Sequence, residues 1–154
     1  MSELQQRTPN RARPAALPAW QQWLVYGCGA ALLASGIAWL VSHYLLSGQS
    51  AFGADEHPLS RWALVAHGTG AYAAVLAVGT LMPVHIRTAW RLHRNRITGG
   101  GMVAVLSVLT LSGLWLYYGP ALGREWISNT HWALGLSSAL MLWLHRRVGQ
   151  RLST

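Results

Sequence analysis

Four stretches of the chain are apolar almost without a break, at about 20–46, 59–84, 100–118 and 128–146, and each is set off by turn-forming or basic residues. A hydrocarbon core of about 30 Å needs about 20 apolar residues of α-helix, and each stretch is of that order. The pattern predicts an all-α integral membrane protein: an up-and-down bundle of four transmembrane helices within one domain, 20–148. The first run is longer than the minimum, which implies tilt or a projecting end. Trp20 and Trp23 stand at its entry as interfacial belt residues do. Pro83 near the end of the second run removes a backbone donor and predicts a local bend. Between the first two runs, 47–60 holds Gly48, Gly53, Pro58 and the acidic pair Asp55/Glu56, a turn-rich loop. A basic connection over 86–98 and the run Gly99-Gly100-Gly101 precede the third helix, and Gly119-Pro120 ends it. The segment 1–19, with Pro9, Pro14 and Pro18, reads as a disordered tail, and 149–154 as a second short tail.

Charge turns this pattern into a topology. All twelve basic residues are arginines, and ten fall in three clusters: Arg7/Arg11/Arg13, Arg87/Arg91/Arg94/Arg96 and Arg146/Arg147/Arg151. The three clusters share one side of the predicted bundle, and only Arg61 and Arg124 lie on the other. The positive-inside rule then places both termini in the cytoplasm of a multi-pass protein. The net charge of +8 is therefore an orientation signal, with anionic lipid head groups rather than nucleic acid as the neighbours of the basic face. The single Cys28 excludes an intrachain disulfide and a covalent c-type haem attachment, and reads as a small buried residue. No Gly-rich phosphate loop, nucleophile elbow or apolar carboxylate pair points to a soluble enzyme.

The candidate chemistry lies in histidines. His131 and His145 are fourteen residues apart on the last helix, hence within about 40° of one face and about 21 Å apart along its axis. His67 and His85 are eighteen apart on the second helix, which is five turns and about 27 Å. Both helices run in the same direction. His67 therefore shares a depth with His131 on the outer side, and His85 with His145 on the inner side. An ionisable group within a membrane span usually marks a site. Two imidazoles from facing helices suit axial ligation of a haem iron, whereas zinc wants three or four protein ligands. Small residues offer room beside the rings: Gly68, Gly70, Ala71, Ala74 and Gly79 on the second helix, Gly113 on the third and Gly135 on the fourth. The same residues equally suit plain helix packing. Arg61 outside and Arg87, Arg91 or Arg146 inside are placed to meet propionates, besides their topological role. His43, near the outer end of the first helix, is open as an alternative ligand, a propionate partner or part of a quinol pocket. His57 and His93 read as solvated loop residues.

With four helices, histidines paired by depth and a last helix of the form His131-Trp-Ala-Leu-Gly-Leu…His145-Arg-Arg, the chain resembles the small bacterial b-type cytochromes. These include the cytochrome b-561 type and the membrane cytochrome b subunits of formate dehydrogenases and nickel–iron hydrogenases. The resemblance covers 20–148 and implies a bacterial inner membrane. It implies two b haems moving electrons between a quinone pool and a redox partner protein or larger oxidoreductase complex, as an electron-transfer subunit rather than a stand-alone enzyme. It implies ligation by His67, His131 and His145. Its inner partner would come from early in the first helix, where this chain has no histidine, so His85 substitutes. Two other readings stay open: a non-haem membrane protein using intramembrane histidines for proton or metal-ion transport, and a cofactor-free structural membrane subunit.

Overall fold

A computed structural model of the chain describes residues 17–50, 53–93 and 95–151. Most of the segment read as an N-terminal tail, and residues 152–154, lie outside the described residues. Helix α1 covers Ala19–Val41 and continues as a π-helical turn, Ser42–Leu46. A short antiparallel ladder follows, β1 Gly48–Ser50 against β2 Gly53–Asp55, with Gln49 opposite Ala54. Helix α2 spans Pro58–Leu81, passes through a second π turn, Met82–Ile86, and runs on as α3, Arg87–Arg91. Helix α4 is Arg96–Tyr118 and α5 is Arg124–Arg151. The ladder apart, the described chain is helical.

Local chemistry explains most of the boundaries. Pro58 sits in the first turn of α2, where its missing N–H costs nothing, and the His57 side chain accepts from Leu59 N at 3.2 Å as a cap. Pro83 cannot donate to a carbonyl one turn back and its ring crowds that turn; the helix widens to π there instead of breaking. Much of the expected basic connection is consequently helical, through Arg91. His93 and Asn95 then take left-handed backbone angles, φ 56° and 51°, and turn the chain. The glycine run lies inside α4, which begins at Arg96 rather than near Gly100.

The helices associate as two antiparallel hairpins, α1 with α2 and α4 with α5, which meet each other chiefly along α1 and α5. In the first, Gln21 Nε2 donates to the Thr80 carbonyl at 3.1 Å, and Leu32 packs where a Cβ on Gly70 would lie. Buried hydroxyls tie its far end: Ser60 Oγ donates to Ser42 Oγ at 2.9 Å, and Ser42 Oγ to the Trp39 carbonyl at 3.0 Å. In the second hairpin, Met141 packs on Gly101, and the Arg124 guanidinium caps the Leu116 carbonyl near the end of α4.

Three helices are long and apolar enough to cross a membrane: Ala19–Leu46, Pro58–Arg91 and Arg96–Tyr118. Helix α5 is long enough at 28 residues but more polar. Among the described residues, the only buried apolar side chains are Ala63 and Ala77. Exposed leucines, valines and aromatics cover the rest of the surface, as contact with lipid requires.

Candidate functional site

The two hairpins hold little backbone in common apart from α1 and α5, yet histidines converge between α2 and α5 at two heights. The rings of His67 and His131 have centroids 6.1 Å apart and planes 73° apart. Those of His85 and His145 are 6.4 Å and 79° apart. All four rings are half-buried. Topology pairs the same histidines by depth. His85, eighteen residues after His67 where His145 is fourteen after His131, lies in the π turn, which departs from the α spiral that counting assumes.

The separation has a chemical meaning. Ring bonds of about 1.33 Å put each imidazole nitrogen about 1.1 Å from its centroid. Metal–imidazole bonds run about 2.0–2.1 Å. Two rings clamping one metal ion in line therefore have centroids about 6.3 Å apart. Two rings sharing a direct N–H···N hydrogen bond would stand only about 5 Å apart. Both observed distances match the clamp.

The back of each ring explains how it is held. His67 Nδ1 lies 3.1 Å from the Leu32 carbonyl and 3.0 Å from Ser35 Oγ. A carbonyl only accepts, so Nδ1 carries the proton and Nε2 keeps its lone pair. His131 Nδ1 lies 2.8 Å from Ser112 Oγ, whose own proton goes to the Val108 carbonyl at 2.7 Å. The Ser112 oxygen is left as an acceptor, with the same result for the ring. His145 Nδ1 lies 3.0 Å from Thr98 Oγ1, which bonds the Asn95 carbonyl at a longer 3.4 Å. His85 has no such hydrogen bond among the described residues. At the outer height both rings thus keep an unprotonated Nε2, with their centroids 6.1 Å apart.

Comparison with protein-family models, curated proteins and solved structures finds no match. The chemistry must be read from the chain itself. Among the described residues, no group of three or more His, Cys, Asp or Glu side chains gathers to hold a bare metal ion. Each imidazole pair offers two nitrogen donors, and α2 has little backbone contact with α4 or α5. A flat macrocycle bringing its own four nitrogens would fit this donor set better than a bare zinc ion, which wants three or four protein ligands.

The remaining expected residues fall as follows. Gly135 has nothing within 4 Å of where its Cβ would be. Gly68 instead faces the Tyr117 hydroxyl, 2.8 Å from its would-be Cβ, and that hydroxyl donates to the Leu64 carbonyl at 3.3 Å. Gly70 faces α1 through Leu32. Gly113 backs His131, whose Cε1 lies 3.5 Å from where a Cβ on the glycine would be. Arg61 lines an open depression at the start of α2 with Glu56, His57 and Trp62. Arg87 is exposed, and Arg146 lies over the Tyr26 ring at 4.9 Å. His43 stacks on Trp39 at 4.7 Å, its buried Nδ1 without a hydrogen bond. His93 Nδ1 meets the Arg91 carbonyl at 3.1 Å, in the turn. Sequence reasoning missed Ser35, Thr98 and Ser112. Their signal is that each hydroxyl directly precedes a glycine, Gly36, Gly99 or Gly113, on an apolar helix.

Proposed function

We propose that the chain is a di-haem b-type membrane cytochrome, carrying electrons across the bilayer between a quinone pool and a redox partner protein or larger oxidoreductase complex. The observation that carries this reading is the pair of imidazole clamps, at 6.1 and 6.4 Å, with three of the four rings tied at Nδ1. Haem bound in each clamp would supply a one-electron couple at an iron held by two imidazole nitrogens. His67 and His131 form the outer clamp and His85 and His145 the inner one. The Nδ1 partners of His67, His131 and His145 keep those rings from turning away. Arg61 at the outer rim, and Arg87 and Arg146 at the inner rim, supply cations for propionates.

In this reading α5 is the fourth span. Its lower apolarity comes chiefly from the charged residues at its two ends, Arg124 and Glu125 at one and Arg146, Arg147 and Arg151 at the other, and further from its histidines and small hydroxyls. Ser137 and Ser138 donate to the carbonyls of Ala133 and Gly135 on their own helix, at 2.7 and 2.6 Å, and so add little cost in lipid. The arginine clusters favour both termini in the cytoplasm, and the resemblance to bacterial b-type cytochromes favours a bacterial inner membrane. The fourteen residues from His131 to His145 set the two clamps about 21 Å apart along the normal. The purified full-length protein is expected to show low-spin b-type bands and two haems per chain by pyridine haemochrome. His131→Ala and His145→Ala should each leave one. A colourless wild type from haem-replete cells overturns the proposal.

A further inference from the structure

Three of the four clamp rings rest on the same two-residue device. Ser35-Gly36 of α1 stands behind His67, Ser112-Gly113 of α4 behind His131, and Thr98-Gly99 of α4 behind His145. In each case the hydroxyl meets Nδ1, at 3.0, 2.8 and 3.0 Å respectively. The glycine beside it lies against the ring: a Cβ there would meet Cε1 at 3.4, 3.5 and 3.6 Å. That is room for a methyl group at most, so any larger residue would push the ring from its line. The hydroxyl proton is directed to a carbonyl of its own helix: Ser35 Oγ to Ala31 at 2.8 Å, Ser112 Oγ to Val108 at 2.7 Å, and Thr98 Oγ1 to Asn95 at 3.4 Å. The oxygen lone pairs therefore receive Nδ1–H. Such an acceptor fixes the tautomer and raises the basicity of Nε2.

We infer that Ser35, Ser112 and Thr98, each followed by a glycine, are positioning residues that hold the imidazoles as Nε2 ligands and lower the potential of the iron they bind. The inference rests on the haem reading above. It makes the two clamps unequal. Both outer rings are tied, and His67 has a second acceptor in the Leu32 carbonyl at 3.1 Å. At the inner clamp only His145 is tied, through the hydroxyl with the longest onward bond, while His85 has no such partner among the described residues. A more basic ligand favours ferric over ferrous iron, and each tenfold change in that preference is about 59 mV for a one-electron couple. The hydroxyls therefore hold the outer haem below the inner one.

The test is a redox titration of the full-length protein in detergent, with the outer haem identified as the one lost in His131→Ala. Ser112→Ala should raise the outer midpoint and leave the inner one in place. Thr98→Ala should do the reverse. Ser35→Ala should move the outer midpoint less than Ser112→Ala does, because the Leu32 carbonyl remains. Ser112→Thr keeps the hydroxyl and should restore the wild-type value, which plain loss of packing would not. Midpoints unchanged in Ser112→Ala and Thr98→Ala at full haem content overturn the inference and leave the cytochrome reading standing. So does a shift that Ser112→Thr fails to reverse. A wild type without haem overturns the reading beneath it.

Discussion

Buried hydroxyls do a second job at the outer end of α1, and there the effect of a single residue can be set out in advance. Ser42 and Ser60 are almost wholly inaccessible, at 0% and 1%, and satisfy one another in a chain that ends on the Trp39 carbonyl. Replacing Ser42 by Ala leaves the Ser60 hydroxyl buried without its acceptor, at a cost of about 1–3 kcal/mol. Replacing Ser60 by Ala removes a donor that Ser42 can do without, at about 1 kcal/mol or less. Thermal unfolding in detergent should therefore rank Ser42→Ala below Ser60→Ala, and the double variant should recover part of the difference. Equal losses would show that the bond carries no such asymmetry. At this scale the sequence was legible where residue type decides: an ionisable ring in an apolar helix has few explanations, and the four histidines that pair at two heights could be named from it. The hydroxyl–glycine pairs were not, because Ser and Thr in membrane helices usually bond their own backbone, as Ser107 and Thr110 do here. Only the cross-helix partner distinguishes Ser112 from Ser107, and that partner is nineteen residues away in sequence.

At the scale of the element, the helix order followed from the apolar runs, while the ends and irregular turns did not. A glycine triplet reads locally as a turn, yet Gly99–Gly101 lies within α4 because close packing on α5 uses the space: His145 beside Gly99 and Met141 over Gly101. The π turns leave no trace in periodicity, since residues 82–86 remain apolar on every face but one. Pro83 is the local cause of the second turn, and its presence has a cost, because a proline inside a helix is unfavourable by about 3 kcal/mol. Pro83→Ala restores the missing donor and lets the turn close to a regular α spiral. On the proposed haem reading, the expectation is a more stable helix and a worse site: His85 rotates away from His145, so the haem-to-protein ratio falls from about two towards one. The outer haem, set by His67 sixteen residues earlier, should keep its spectrum. Retention of both haems in Pro83→Ala would show that the π turn is incidental to the inner clamp.

At the scale of the whole molecule, the question is what holds two helical hairpins together. Lipid accounts for apolar side chains on the outside, such as Leu76 at 73% exposure, but not for the shortage of buried ones within: Ala63 and Ala77 alone among the described residues. Without a hydrophobic drive between helices, membrane bundles rely on close packing and interhelical hydrogen bonds. Each hairpin has both internally, through Ser35 and Gln21 in one and Ser112 and Thr98 in the other. Between the hairpins the ties among the described residues are mainly side-chain contacts: the Tyr117 hydroxyl on Leu64, Tyr72 with Tyr118, Arg146 over Tyr26 and Arg96 on the Trp90 carbonyl and ring, besides the α1–α5 contact. The imidazole clamps bridge this same seam. If iron porphyrin joins them, the cofactor is the main mortar of the fold, and ligand linkage gives its scale. A site at a hundredfold excess over its dissociation constant adds about 2.7 kcal/mol, so two sites add about 5 kcal/mol. For a chain of this length that is a rise in melting temperature on the order of 10–20 °C. The full-length protein made in haem-deficient cells should melt lower by that margin than the haem-replete protein. It should also be cut by protease at the inner turn between α3 and α4, which joins the two hairpins, sooner than within either hairpin, because the hairpins persist after they part. His67→Ala, which keeps one clamp, should fall between the two. Identical melting with and without haem would mean that the seam is closed by protein alone, and the clamps would then have no structural part in uniting the halves.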